Sequence, residues 1–538
     1  MMRGTMMDYP LTLRPLLERA GKYFPNVEII SRRPDRSLHR ANYGSLYRRA
    51  PALAAALQKA GLRRGDRVAT LCWNHIEHLE AYFGVPLAGG VVHTLNLRLS
   101  RDELASIIIH AGDRFLLVDD LLLPQYQALR EKVKLERVWV VPTSGKRLPS
   151  GYESYEDLLL QSTGEFHPPD LSENDAAAMC YTSGTTGMPK GVLYSHRALV
   201  LHTLGISLAD NFGIAQRDVL LPVVPMYHAN AWGIPFAAAM IGAKLVFPGP
   251  YLDPPSLLEL MESEQVTYAA GVPTVWMGIA DLLEKHPGRW KISPRLLITS
   301  GGAATPESLF RRYDRLGIEL RSSWGMTEMT PAGSTSRVKS TMAHLPEDTQ
   351  YAVRALAGLP FPLVEARAVS AEGEVPWDGQ AMGELQVRGP WVAASYYNME
   401  EAQGRWTDDG WFRTGDVVAI DPEGYIRIAD RTKDLIKSGG EWISSVALEN
   451  ALMGHPAVKE AAVIAVPHPK WQERPLAVVV RRDGAQVTCA ELLDHLAGNF
   501  AKWQLPEAIE FAESIPRTSV GKFQKSVLRE KYKDWRWG

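Results

Sequence analysis

The sequence predicts an α/β protein in two parts: a large N-terminal domain of stacked α/β sheets with a small barrel-like subdomain, then a small, mobile α+β C-terminal domain. Three observations predict it. The chain has 538 residues, more than one hydrophobic core normally serves. Apolar strand-like runs alternate with helical patterns along most of it, as repeated strand–helix units do in a mainly parallel sheet covered on both faces. From about Gly383 the pattern changes to short alternating strands, and after Arg431 to compact α+β.

The elements follow in chain order. Residues 67–72 read as a strand and 75–87 as a helix. Ser100 and Glu103 have capping-box spacing, Leu104, Ile107 and Ile108 then share a helical face, and Gly112 ends the helix. Residues 115–118 are a buried strand, as are 177–180. Residues 384–388 and 425–429 alternate, which indicates an antiparallel or barrel-like piece. Ser445 can cap a helix carrying Val446, Leu448, Ala451 and Leu452, with Gly454 and Pro456 ending it. Residues 461–466 and 476–480 read as strands, and Thr488 with Glu491 forms another capping box.

Composition narrows the function. A net charge of −2 gives no reason to expect nucleic acid or an anionic membrane as partner. No apolar run approaches the ~20 residues that span a bilayer; the longest candidate, 237–246, is broken by Gly242 and Lys244. Residues 1–13 carry Arg3 and Asp8 and no apolar segment, so no signal peptide is expected. Cys72, Cys180 and Cys489 are too scattered for a disulfide framework or zinc cluster and suit a reducing cytoplasm.

The most informative segment is Tyr181-Thr182-Ser183-Gly184-Thr185-Thr186-Gly187-Met188-Pro189-Lys190-Gly191. Glycines let backbone N–H groups approach phosphate oxygens, hydroxyls donate, and the lysine adds charge. A Walker A loop needs Gly-Lys followed by Ser or Thr; here Lys190 stands between Pro189 and Gly191, so that spacing fails. Pro225-Met226-Tyr227-His228-Ala229-Asn230-Ala231-Trp232 is an aromatic turn that could wall an apolar slot or form a core corner. Ser300-Gly301-Gly302 ends a strand on glycines that would let a flat ring lie against backbone. Ser322-Ser323-Trp324-Gly325-Met326-Thr327-Glu328 offers a carboxylate for a hard cation shared with phosphates. Asp416, in Thr414-Gly415-Asp416, could accept from two adjacent hydroxyls or simply cap a turn.

These motifs, in this order and extending to Pro516-Arg517-Thr518-Ser519-Val520-Gly521-Lys522, resemble the adenylate-forming superfamily from about residue 10 to the end. Within it they resemble the fatty acyl-CoA synthetase branch. The resemblance implies an AMP-forming acid–CoA ligase, with ATP, Mg²⁺, coenzyme A and a carboxylic acid as its small-molecule partners. It implies ATP or AMP binding by Thr182, Ser183, Gly184, Thr185, Thr186, Lys190, Gly301, Gly302, Ser322, Ser323, Trp324, Gly325, Met326, Thr327, Asp416, Arg431, Lys433, Lys437 and Trp442. Mg²⁺ would fall to Thr182 and Glu328, and the acid pocket to Tyr227, His228, Ala229 and Trp232. The coenzyme A side would be formed by Gly439, Gly440, Glu441 and Trp442. Lys522 would be catalytic, whereas Lys525 reads as an ordinary solubilising lysine. Lys433 would be the pivot between a domain of residues 1–430 and one of 434–538, with 431–433 as hinge, and a homodimer is implied. Ser322-Ser323 departs from the family's usual residues there. The acid indicated is a medium- or long-chain fatty acid, with a short or substituted acid such as 3-methylmercaptopropionate as alternative. An amino-acid adenylation module would want an aspartate near Tyr227 and a carrier domain, and a non-catalytic relative would be expected to lack Lys522, Glu328 or Asp416.

Overall fold

The computed structural model describes every residue except 1, 3, 163–165, 183–188, 400–403, 439–440, 518–521 and 538. Among the described residues the strands form four sheets. The largest runs Leu359–Pro360, Ala332–Thr335, Glu319–Gly325, Leu297–Gly301, Tyr268–Gly271, Val219–Pro222, Lys244–Phe247, Glu28–Arg32, Leu38–Asn42. Its six central strands, Glu319–Gly325 to Glu28–Arg32, pair in parallel. The second runs Glu153–Ser154, Arg137–Val141, Asp113–Asp119, Arg67–Leu71, Val91–Thr94, Ala176–Tyr181, Gly191–Ser195, and is parallel except at its last pair. Strands buried on both faces read as continuous apolar runs, which explains why these segments were legible. Helices Tyr43–Lys59, Ile76–Leu87 and Ile234–Ile241 pack into one apolar cluster with residues of both sheets, so one core cements the large domain.

Local signals decide the helix ends. Ser100 and Glu103 make the reciprocal capping box of helix Arg101–Ala111, and Gly112 leaves it in the left-handed conformation. The candidate span 237–246 divides at Gly242 into the end of helix Ile234–Ile241 and strand Lys244–Phe247. No helix among the described residues is long and apolar enough to cross a membrane.

The third sheet, Gly373–Glu374, Glu365–Ser370, Gly383–Arg388, Phe412–Ile420, Ile426–Arg431, is antiparallel throughout. Its last strand leads into the small C-terminal domain. There the long hairpin Val458–His468 and Gln472–Arg481 is flanked by helices Ser445–Gly454, Cys489–Ala497 and Lys525–Lys531. An ion pair between Arg482 and Asp281, 3.1 Å, ties this domain to the large one. Here one expectation is corrected. The cap of helix Ser445–Gly454 is Ser444, whose hydroxyl accepts from Ala447 N at 3.0 Å. Ser445 is the first helical residue, because Asp430 takes its N–H and hydroxyl.

Candidate active site

Strand Ala176–Tyr181 delivers the loop expected to hold phosphates to the carboxyl end of the second sheet. Ser183, Gly184, Thr185 and Thr186 lie outside the described residues. The neck of the loop is closed twice: Thr182 N donates to Lys190 O at 2.9 Å, and Lys190 N donates to Thr182 Oγ1 at 3.0 Å. Lys190 Nζ stands 4.8 Å from the ring centre of Tyr396, a cation–π contact.

Tyr396 also reaches the expected metal carboxylate. Its hydroxyl donates to Glu328 Oε1 at 2.5 Å, with both side chains buried. Burial raises the pKa of the phenol, and the Glu328 carboxylate pushes it the same way. A buried carboxylate oriented by a hydroxyl is the donor a hard divalent cation takes, so the residues present fit Mg²⁺. Nothing in the local sequence marked Tyr396, which lies 68 residues from Glu328.

Asp416 and Arg431 are direct partners in the register of strands Phe412–Ile420 and Ile426–Arg431. Their side chains therefore meet on one face: Arg431 Nε lies 2.6 Å from Asp416 Oδ1, and Trp324 Nε1 donates to Asp416 Oδ2 at 2.9 Å. Two residues from distant motifs, Trp324 and Arg431, thus converge on one buried carboxylate. Across from them, strand Leu297–Gly301 ends on the paired glycines. A Cβ on Gly301 would sit 2.8 Å from Ser323 O and 3.0 Å from the Trp232 ring, so only hydrogen fits. Gly302 has φ +83°, a conformation glycine adopts without cost. Ser323 spends its hydroxyl on Ser334 O at 2.8 Å, and Ser322 O accepts from Ser336 N at 2.9 Å, so both bonds go to strand Ala332–Thr335 and the residue after it. Met326 and Thr327 follow in the turn beyond Gly325, and Thr327 O accepts from the Tyr194 hydroxyl at 2.7 Å.

Lys522 enters this constellation from the small domain. Its Cε would be 3.5 Å from a Cβ on Gly302. Burial brings its pKa down to about 8, the neighbouring Arg431 and Lys433 charges push the same way, and Asp416 and Glu328 oppose them. The lysine therefore lies against Gly302 and within electrostatic reach of Asp416, Arg431 and Glu328.

Beside it, Tyr227 is buried and its carbonyl accepts from Thr94 Oγ1 at 3.2 Å. His228 is held neutral, its pKa lowered to about 3 by burial and then by the Lys522 charge. Ala229, Asn230, Ala231 and Trp232 have φ of 43°, 51°, 49° and 57°, a left-handed turn of non-glycine residues completed by Gly233. Each such residue costs roughly 1–2 kcal/mol, so the surrounding core must hold the turn. What the turn achieves is to lay the Trp232 indole against Gly301.

Lys437, Glu441 and Trp442 sit elsewhere. They are exposed on the hairpin Ile436–Ser438 and Glu441–Ile443, where Lys437 is paired with Trp442 and Ser438 with Glu441. Gly439 and Gly440 lie outside the described residues. Lys433 is exposed.

Away from this site Cys72, His75 and Asp119 bring three ligand-type atoms together in the large domain. The imidazole is already engaged: Nε2 lies 2.7 Å from Asp119 Oδ1, Nδ1 lies 3.0 Å from Glu77, and Arg33 pairs Glu77. Burial alone would lower its pKa, but the two carboxylates raise it to about 9, so this is an ion network rather than a set of metal donors.

Known proteins match along the whole chain. The profile described as AMP-binding enzyme matches residues 17–397, and that described as AMP-binding enzyme C-terminal domain matches residues 447–522. A long-chain-fatty-acid–CoA ligase of Thermus thermophilus is 53% identical over 535 residues, 99% of this chain and 97% of that one. A 3-methylmercaptopropionyl-CoA ligase of Ruegeria lacuscaerulensis is 42% identical over 539 residues, 99% of each chain. Among solved structures, ATP-bound MatB from Rhodopseudomonas palustris is similar with a TM-score of 0.81 and 30% identity, covering 98% of this chain and 99% of that one.

Proposed function

Because this chain belongs to the AMP-binding enzyme family, in its acid–CoA ligase branch, we propose that it converts a medium- or long-chain fatty acid to its CoA thioester through an acyl-adenylate. The observation that carries the reading is the entry of Lys522 from the small domain against Gly302, within electrostatic reach of Asp416, Arg431 and Glu328. The kinship to a long-chain-fatty-acid–CoA ligase over nearly the whole of both chains supports the choice of acid. The 3-methylmercaptopropionyl-CoA ligase relative, at 42% identity, keeps a short thioether acid as the second reading.

The chemistry follows from leaving groups. A carboxylate cannot expel oxide, so its oxygen first attacks the α-phosphorus of ATP and pyrophosphate departs. The transition state gathers negative charge on phosphate oxygens. Lys522, Lys190 and the loop from Thr182 would neutralise it, and positioning supplies much of the rest. Glu328 and Thr182 would hold Mg²⁺, which when bound supplies further positive charge at those oxygens. Asp416 and Arg431 would accept and frame the ribose, with Gly301, Gly302, Ser322, Ser323, Trp324, Gly325 and Met326 bordering the adenine. Thr327 would meet the α-phosphate.

In the second step the thiol of coenzyme A attacks the acyl carbonyl and AMP leaves. For this the domain of residues 434–538 would rotate about Lys433 within the hinge 431–433, relative to residues 1–430. Rotation withdraws Lys522 and brings Lys437, Gly439, Gly440, Glu441 and Trp442 to the site. Tyr227, His228, Ala229 and Trp232 would line the acid's path. The three free thiols support a reducing, cytoplasmic setting, and the family resemblance supports a homodimer, which light scattering would detect.

The test has two stages. Purified protein with Mg²⁺–ATP and an acid should release pyrophosphate without coenzyme A, and should form thioester once it is added. A panel from acetate to stearate, with 3-methylmercaptopropionate included, should peak among the longer fatty acids. A peak at acetate or at the thioether acid would overturn the choice of substrate, and release independent of any acid would overturn the ligase reading.

A further inference from the structure

We propose that Lys525 is a positioning residue: with Asp430, Ser445 and Glu449 it forms a buried polar latch across the pivot that holds the small domain in its adenylate-forming arrangement. The inference rests on the two-step reading above, and it assigns to Lys525 a task that reading does not give it.

The latch begins with strand alternation. Arg431 faces Asp416 and the site, so its neighbour Asp430 points to the opposite face, toward the small domain. There Asp430 is 1% exposed. Its Oδ2 accepts from Ser445 N at 2.7 Å and from the Ser445 hydroxyl. Lys525 Nζ donates to that same hydroxyl at 2.5 Å and pairs with Glu449 Oε1 at 2.7 Å. Glu449 is itself fixed by Val463 N, which donates at 2.7 Å. The Ser444 hydroxyl adds a second tie, to Ala429 O. Asp430 and Ala429 precede Lys433, whereas Ser444, Ser445, Glu449 and Lys525 follow it. Rotation about Lys433 must therefore part the first pair from the rest.

Two features suit this cluster to a reversible latch. Within it, one ammonium pairs with Glu449 and reaches Asp430 through the Ser445 hydroxyl, and burial raises the pKa of both acids. Parting Asp430 breaks charge-assisted bonds but returns a costly buried carboxylate to water, so the two effects oppose each other and neither arrangement is locked. The second feature is connectivity. Lys525 opens helix Lys525–Lys531 and lies three residues beyond Lys522. Whatever fixes Lys525 relative to Asp430 also fixes how far Lys522 reaches toward Asp416. Arg431, adjacent to Asp430, forms the other end of the same relation.

The latch is tested by Lys525→Met and by Asp430→Ala, the second leaving the Lys525–Glu449 pair intact in case the first folds poorly. Three measurements are made on the full-length enzyme: acid-dependent pyrophosphate release, thioester formation from supplied acyl-adenylate and coenzyme A, and the distance between spin labels on native Cys489 and an introduced Ser340→Cys. Both label positions are exposed, and Cys72 and Cys180 are buried. The expected result is that pyrophosphate release falls about tenfold or more, since a population shift of that size needs only a small change in domain equilibrium. Thioester formation stays within about twofold of wild type or rises, because the same shift favours its arrangement. The label distance moves away from its wild-type value. An unchanged distance in Asp430→Ala overturns the latch whatever the rates, and so does an equal fall in both half-reactions. Should the wild-type enzyme release no pyrophosphate with any acid, the ligase reading fails, while the distance measurement still judges the latch.

Discussion

Replacing Tyr396 by phenylalanine deletes one oxygen atom and tests how Glu328 is prepared for a cation. The ring stays, and with it the contact to Trp406, 5.2 Å between ring centres, and the face presented to Lys190 at 4.8 Å. What disappears is a 2.5 Å hydrogen bond to a carboxylate that is 5% exposed. A hydrogen bond to a charged group contributes about 1.5–3 kcal/mol, so its loss corresponds to roughly a 10- to 150-fold change if it is used to orient Glu328 for binding. The expected outcome is that half-saturation of pyrophosphate release moves to higher Mg²⁺ by a factor in that range. Thioester formation from supplied acyl-adenylate should stay near wild type, because no phosphoryl transfer remains to be done. Titrating Mg²⁺ at saturating ATP and acid measures the first quantity, and a discontinuous thioester assay the second. A wild-type Mg²⁺ dependence, or an equal loss in both half-reactions, would refute the assignment of Tyr396 as the residue that aims Glu328.

Other expectations follow from the same geometry. Lys522→Ala should lose adenylation yet retain much of the thioester step; pyrophosphate release at the wild-type rate would remove Lys522 from the mechanism. Trp232→Ala opens the space beside Gly301 and should change chain-length preference more than the KM for ATP; an unchanged acid profile with a raised ATP KM counts against the pocket. Acid should destabilise the fold through its buried neutral histidines. His202, with its pKa lowered to about 3 by burial, accepts from Ala332 N at 3.1 Å. A histidine depressed in the folded state contributes stability that is intact above the unfolded value of ~6.5 and is lost as pH falls below it, by about 1.4 kcal/mol at one pH unit beneath. His202→Gln should flatten the fall in thermal midpoint between neutral and mildly acid pH, and a slope equal to wild type would exclude His202 as a contributor.

Much of this was legible because it is local. Capping boxes at Ser100 and Thr488 involve residues three apart, and the buried parallel strands announce themselves as apolar runs. What was not legible depends on pairing over distance. Ser444 and Ser445 are indistinguishable as caps by sequence; Asp430, arriving from another sheet, claims Ser445 and leaves the cap to Ser444. Lys525 looked like a solvated lysine because its partners lie 76 and more residues earlier, and only folding buries it beside Glu449. Asp416 and Arg431 were both named from motifs, yet their mutual salt bridge is a product of strand register, which no motif states. Tyr396 had no spacing rule to find it.

The left-handed run from Ala229 to Gly233 has a consequence for how a preference for one acid can change. Trp232 is aimed by torsion angles of the main chain, and the residues touching its ring merely receive it. A lineage adapting to a new substrate need not carve the wall of its slot. It can tilt the plate instead, by altering which residues tolerate that handedness, and leave every side chain in the path as it was. With Trp232 proposed as a wall of the acid's path, acid choice would be written partly in the handedness of the backbone, where a comparison of pocket-lining residues would never look.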